Sequence, residues 1–229
     1  MKPAAKQRNA FTRTELLVVI GIIVVLALLV IPVTRFVKER SIRSQCANNL
    51  RQSCQSLIKF ANDHEGLLPD CTRKNPEFYG PLWPIEVHTN LVTELEVYGG
   101  GRRVFYCPAN SQMNDDNHWN FADRYRSRVR VLGYVFLLNG TRQLPPNLWR
   151  TNLLGDGIRS PSKTELVVDI TASQKGNYVE VRGINKDRTS HIKETRPIGG
   201  NMAFEDGHVD WRPFKKMEHR IFGDAIWDF

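Results

Sequence analysis

The sequence predicts an α+β fold in which one long N-terminal helix, transmembrane and then amphipathic, packs on a small antiparallel β-sheet. Three observations carry this expectation. Eighteen residues without a charge run from Leu16 to Val33. Beyond them Val37, Ile42, Cys46, Leu50, Cys54, Leu57, Ile58 and Ala61 recur at spacings of three to five with polar residues between, the pattern of a helix with one buried face. After Gly99-Gly100-Gly101 come short segments rich in β-branched and aromatic residues, the last built around Asp206-Gly207.

In chain order, residues 1–10 carry Lys2, Lys6 and Arg8 and no acid, the composition of a short cytoplasmic leader. Residues 11–34 hold the apolar run, whose length matches a bilayer crossing. Glu15 stands at its mouth, where a carboxylate costs less than the roughly 2.5–3.5 kcal/mol of mid-membrane but still calls for a partner. Residues 35–66 form the amphipathic half of one helix expected from about Thr14 to Asp63. Pro32 deletes the hydrogen bond to the Leu28 carbonyl and predicts a kink, and Gly66 and Pro69 end the helix. Residues 67–229 form the globular domain. Within it residues 70–101 read as a loop with a short helix near Ile85 to Val97. Strand-like segments follow at Arg102 to Cys107, Arg128 to Leu138, Glu165 to Ile170 and Tyr178 to Arg182.

Asp206-Gly207 between alternating runs predicts a two-residue hairpin turn. That turn pairs Glu205 with His208, Phe204 with Val209, Ala203 with Asp210 and Met202 with Trp211. Met202, Phe204, Val209 and Trp211 would then share the core face, and Glu205, His208 and Asp210 the other.

The chain's 229 residues suffice for one such helix and one domain with its own core. The formal charge of +8 includes the three leader cations, so loss of the leader leaves +5. A surplus of that size favours anionic surfaces without specifying nucleic acid. A secretory signal has a shorter apolar core and a small-x-small cleavage site; here the run continues into Thr34-Arg35-Phe36-Val37-Lys38 and no such site follows. Arg35, Lys38, Arg40 and Arg43 balance the positives on the N-terminal side, so charge asymmetry alone does not orient the chain.

Phe11-Thr12-Arg13-Thr14-Glu15 before the apolar run, with Pro32 twenty-second from Phe11, resembles the type IV pilin and type II secretion pseudopilin family. Further motifs are Cys46-Ala47-Asn48-Asn49-Leu50-Arg51-Gln52, Asp63-His64-Glu65-Gly66-Leu67-Leu68-Pro69, Phe105-Tyr106-Cys107-Pro108 and Gly200 to Trp211 with Asp206-Gly207-His208. Together they resemble prepilin-type proteins with a C-terminal Asp-Gly-His signature. The resemblance implies a pilin-like fold. It also implies cleavage between Ala10 and Phe11 by a prepilin peptidase, N-methylation of Phe11, and assembly through Glu15 and the bend at Pro32. The new amine of one subunit would neutralise Glu15 of its neighbour. The implied partners are the peptidase, other pilin-like subunits, an inner-membrane assembly platform and the membrane itself. The implied location is a single-pass inner-membrane protein, N-terminus cytoplasmic and C-terminal domain periplasmic, or a filament at the cell surface. The chain departs from the family in having Ala10 where Gly is usual, and Arg13 and Thr14 where apolar residues are usual.

Four further constellations bear on chemistry. His191, Glu205, His208 and Asp210 are the candidate metal ligands, zinc suiting the imidazoles and calcium the carboxylates. The resemblance raises calcium, which major pseudopilins hold in a C-terminal loop, while a cross-strand pair of Glu205 with His208 explains the same residues without an ion. Arg124, Arg126, Arg128 and Arg130 alternate with Tyr125, Ser127, Val129 and Val131. On one strand they would present four guanidiniums to an anionic polysaccharide or DNA, or protect a sheet edge by charge. Cys46 and Cys54 lie about 12 Å apart along one helix and cannot bond to each other. The pairing of Cys46 with Cys107 and of Cys54 with Cys71 is favoured because Cys46 and Cys107 sit in two motifs of the resemblance and the chain turns back after Gly66; buried thiols are the alternative. No nucleophile elbow, phosphate-cradling loop or His-Glu-x-x-His is present, so the chain does not read as an enzyme and no cofactor is expected. The expectation is a structural filament subunit; the alternative is a membrane-anchored binding module that never polymerises.

Overall fold

The computed structural model describes residues 12–72, 77–78, 84–125, 127–140, 154–155, 160–181, 189–221 and 225–229. The side chains of residues 29–36 and of Ile221 lie outside that description. The chain divides into two compact units, Met1–Ile42 and Arg43–Phe229.

Helix α1 (Arg13–Asp63) contributes to both units. In the first, residues 16–28 expose nearly every large apolar side chain, Leu17 at 67% and Leu28 at 65%. Gly21 has nothing within 4 Å of where a Cβ would stand. In the second unit the helical residues bury Cys46, Leu50, Ser53, Cys54, Ser56, Leu57, Phe60 and Ala61, a stripe at helical spacing. Val37, expected on that stripe, is 55% exposed. The helix stops where Glu65 and Gly66 turn to positive φ (57° and 82°) and the Gly66 N–H returns to the Ala61 carbonyl at 2.7 Å, a left-handed C-terminal cap.

The remaining elements are β1 (Glu86–His88), α2 (Thr89–Val97), α3 (Asp116–Trp119), α4 (Phe121–Tyr125), β2 (Val129–Val131), β3 (Tyr134–Phe136), β4 (Glu165–Asp169), β5 (Ala172–Ser173), β6 (Ile192–Lys193), β7 (Arg196–Pro197), β8 (Gly199–Phe204), β9 (Val209–Pro213), β10 (His219–Ile221) and β11 (Ile226–Asp228). Among the described residues they form four antiparallel sheets: β3-β4-β8-β9, β10-β11-β5, β1-β2 and β6-β7. Strands β4 and β8 are buried along their whole length and form the centre of the largest sheet.

The expected architecture is thereby corrected on two counts. In place of a helix packed on one small sheet, the described residues form four short-stranded sheets and the short helices α2, α3 and α4. Gly133, Pro197, Gly199 and Pro213 interrupt or bound the strands, and such residues do not sustain long ladders. Among the described residues, moreover, no helix is long and apolar enough to cross a membrane. Of the nineteen uncharged residues between Glu15 and Arg35, side chains are described for residues 16–28, and those thirteen residues span about 20 Å as a helix, short of the ~30 Å hydrocarbon core.

Smaller expectations shift as well. Residues 102–107 form turns, because Val104 and Phe105 both donate to the Gly101 carbonyl, leaving no ladder for a strand. The segment from Tyr178 also lacks a strand among its described residues, since the Asn177 side chain accepts from the Val179 and Glu180 N–H groups and holds the backbone locally. Residues 116–119 form α3, whose cap Asp115 accepts from the His118 N–H at 2.9 Å and from its ring.

Candidate functional site

At the start of α1 the Thr12 N–H and hydroxyl donate to Glu15 Oε2 at 2.8 and 2.7 Å, and the Glu15 N–H donates to Thr12 Oγ1 at 3.3 Å. This is a capping box, two orphan helix donors satisfied reciprocally. The Thr-x-x-Glu spacing was a signal of this cap that reading Glu15 only as a charge in want of a partner passed over. The backbone donor of Thr12, then its hydroxyl, holds the Glu15 carboxyl below its ordinary range, so at neutral pH an exposed anion heads the apolar surface of residues 16–28. The cleavage site Ala10 and Phe11, with the leader, lies outside the described residues. Pro32 falls within α1, and its side chain is among those not described.

The densest polar constellation is buried in the larger unit. A disulfide joins Cys46 on α1 to Cys107, their Cα atoms 4.9 Å apart. Asn49, one turn along, donates to the Arg103 and Tyr106 carbonyls at 3.1 and 3.0 Å, and Ser53 to the Val104 carbonyl at 3.2 Å. One helix face thus holds the irregular segment that carries Cys107. Beside Cys107 Sγ, at 3.5 Å, lies His191 Nε2. The same nitrogen is 3.0 Å from Asp169 Oδ2. That oxygen also accepts the backbone N–H and the side-chain amide of Asn201, both at 2.7 Å.

His191, Asp169 and Asn201 are all buried, and Asp169 Oδ1 has no partner among the described residues. The ring of His191 meets Trp211 edge to face at 5.0 Å, and the Arg43 guanidinium covers Trp211 at 3.9 Å. Burial, with the nearby Asp169 charge adding to it, raises the Tyr134 hydroxyl well above its ordinary range; that hydroxyl donates to the Cys46 carbonyl at 3.3 Å.

Cys46, Cys107 and His191 are close enough to share an ion. With the sulfurs bonded to each other no thiolate is available, and thiolate is the form that binds metal. In this form the cluster works as an internal clamp tying α1, residues 103–107, β4 and β8 together. Cys54 and Cys71 are buried thiols outside any disulfide, which corrects their expected pairing. Cys54 Sγ donates to the Phe204 carbonyl at 3.2 Å, and burial, then the Asp70 charge, pushes the Cys71 thiol up to about 12.

The four expected metal ligands do not converge. The hairpin explains why: its turn holds three residues, Glu205, Asp206 and Gly207, with the Gly207 N–H returning to the Phe204 carbonyl at 2.8 Å and Phe204 N–H bonding the His208 carbonyl at 3.0 Å. Gly207 takes φ +85°, the left-handed position of a bulged three-residue turn. The register is therefore Ala203↔Val209, Met202↔Asp210 and Asn201↔Trp211, one residue from the expected pairing, and β9 turns its other face to each partner. His208 stacks on Phe204 at 4.2 Å and pairs with Asp206 at 2.5 Å and, at 3.7 Å, Asp210. Glu205 Oε2 instead accepts the Gly155 N–H at 3.4 Å, and His191 belongs to the buried clamp.

The arginine row is also dispersed. Arg124 lies on α4, Arg126 is outside the described residues, Arg128 precedes β2, and only Arg130 is on that three-residue strand. Arg130 donates to the Trp119 carbonyl and lies 4.4 Å over the Trp119 ring. The helical turn at residues 121–125 breaks the period of two on which a one-sided display depends. Asp169 lies in none of the quoted motifs, and Asn201, within the Gly200 to Trp211 motif, carried no sign of its partner; the two meet only through the β4–β8 pairing. No protein-family model, no curated protein and no solved structure matches the chain.

Proposed function

We propose that the protein is a structural subunit of a type II secretion or type IV pilus-like filament. Prepilin peptidase cleaves it before Phe11, the new amine is methylated, and the subunit joins related subunits at an inner-membrane assembly platform. The observation that carries the reading is the exposed apolar surface of residues 16–28 headed by the anionic Glu15. Exposed apolar surface this continuous calls for a partner that covers it. Neighbouring copies of the same segment do so, and the cationic amine of one copy neutralises Glu15 of the next. The disulfide agrees with an oxidising, periplasmic or cell-surface location for the larger unit.

Glu15 also caps its own helix, and substitution separates the two roles. Glu15→Gln keeps the capping box, which glutamine forms as well as glutamate, but removes the charge. Cells producing the variant will hold normal amounts of protein and release no sheared filaments containing it. Wild-type incorporation by Glu15→Gln would reject charge pairing, whereas absence of the wild-type protein itself from sheared filaments would favour the anchored module that never polymerises.

A further inference from the structure

A cleft of about 1230 Å³ opens where three turns of the larger unit meet. Each turn is fixed by its own backbone. Lys175 and Gly176 (φ 51° and 78°) form a two-residue turn closed by both hydrogen bonds between Gln174 and Asn177, each 3.0 Å. The β6–β7 hairpin carries Arg196 opposite Lys193. The turn after β9 is held by Phe214 N–H on the Ile198 carbonyl at 3.2 Å. Tyr178 and Phe214 meet edge to face in the wall, 5.5 Å apart at 84°.

We propose that this cleft binds an acidic polysaccharide through its uronate carboxylate or sulfate groups. Its volume exceeds the ~300–1,000 Å³ of a site for one small ligand and fits an oligomer. Lys175, Arg196 and Lys215 line it against one carboxylate, Glu180, and all three cations are exposed with no ion pair among the described residues. Fixed anions on a chain complement them. The aromatic pair and the flanking exposed Pro213 offer apolar surface to the C–H faces of sugar rings, while Asn177 and Thr195 in the same lining supply donors and acceptors for hydroxyls. A single nucleic-acid strand requires a basic track along its phosphates and open faces for base stacking. Here a carboxylate, Glu180, interrupts the cations, which therefore form no continuous track.

The test is affinity electrophoresis of the full chain in neutral detergent through gels holding polygalacturonate, dextran sulfate, unsubstituted dextran or a single-stranded oligonucleotide. Retardation by polygalacturonate alone would assign uronate recognition, by dextran sulfate alone sulfate recognition, and by both the shared anionic chemistry. The double variant Lys175→Glu/Lys215→Glu, on two exposed positions, will weaken that binding by about tenfold or more. Tyr178→Ala will weaken it at unchanged charge, with circular dichroism confirming the fold of both variants. The proposal is overturned by no retardation in either acidic gel, by equal retardation in neutral dextran, by tighter binding of the oligonucleotide, or by charge-reversed protein that binds as wild type.

Discussion

Asp169 illustrates how a single buried side chain determines what surrounds it. One of its oxygens gathers His191 and both nitrogens of Asn201, so removing the carboxylate leaves three buried donors or acceptors without their partner. Unmet buried groups each cost about 1–3 kcal/mol. Asp169→Ala should therefore destabilise the protein by about 3 kcal/mol or more, and Asp169→Asn, which keeps an acceptor, by less, read from urea midpoints. Equal midpoints for wild type and alanine variant would remove the clamp from the account. At this scale the sequence was informative where chemistry was local: Cys46, Cys107 and Asn49 stood in quoted motifs, and Glu15 stood out as the charge heading the apolar run, while its cap with Thr12 was missed. It was silent on Asp169 because that residue's role comes from partners 22 and 32 residues further along the chain, His191 and Asn201.

Among the elements, the β8–β9 hairpin shows how one residue of turn length governs a whole face. Asp-Gly was legible as a turn, and its length was not, since the same dipeptide serves two-residue turns and the last two positions of bulged three-residue ones. The burial pattern arbitrates only after both strands are placed. Gly207→Ala at φ +85° should cost about 1 kcal/mol. Gly140→Ala should cost more, because its φ is +84° and a Cβ there would lie 2.3 Å from the Thr72 nitrogen; thermal unfolding of the two variants will rank them.

Strand β4 begins with Glu165, which accepts Arg212 of β9 at 2.9 Å and Arg220 of β10 at 3.3 Å. Burial pushes its carboxyl up, but the Arg220 charge and the Arg212 hydrogen bond and charge outweigh this and leave it below its ordinary 4.5. A depressed carboxyl stabilises the fold above the unfolded value and loses that contribution as pH falls through the folded one. Stability will accordingly drop on acidification below about 4.5, and Glu165→Gln will flatten that part of the profile in urea titrations run from pH 7 to pH 3. An unchanged profile in the variant would show that the two arginines do not set it.

For the molecule as a whole, the helix period from Cys46 to Ala61 was readable because a buried stripe repeats every three to four residues. Partition of the strands among four sheets was not, since strands of two to six residues leave too few alternations to reveal a partner. The one-sided arginine row failed for the same reason, a period of two extrapolated across a helical turn. What the larger unit adds to the functional account is a disulfide-clamped, basic-lined body; what the smaller unit adds is a bare apolar helix surface with an anion at its head. The central claim joins them: the chain is matured before Phe11 and the new amine meets Glu15 of a neighbour. It is tested most directly by the intact mass and N-terminal sequence of the protein recovered from its native host. The account predicts a chain that starts at Phe11 and carries one added methyl group; a chain that retains Met1 and the residues up to Ala10 would contradict it.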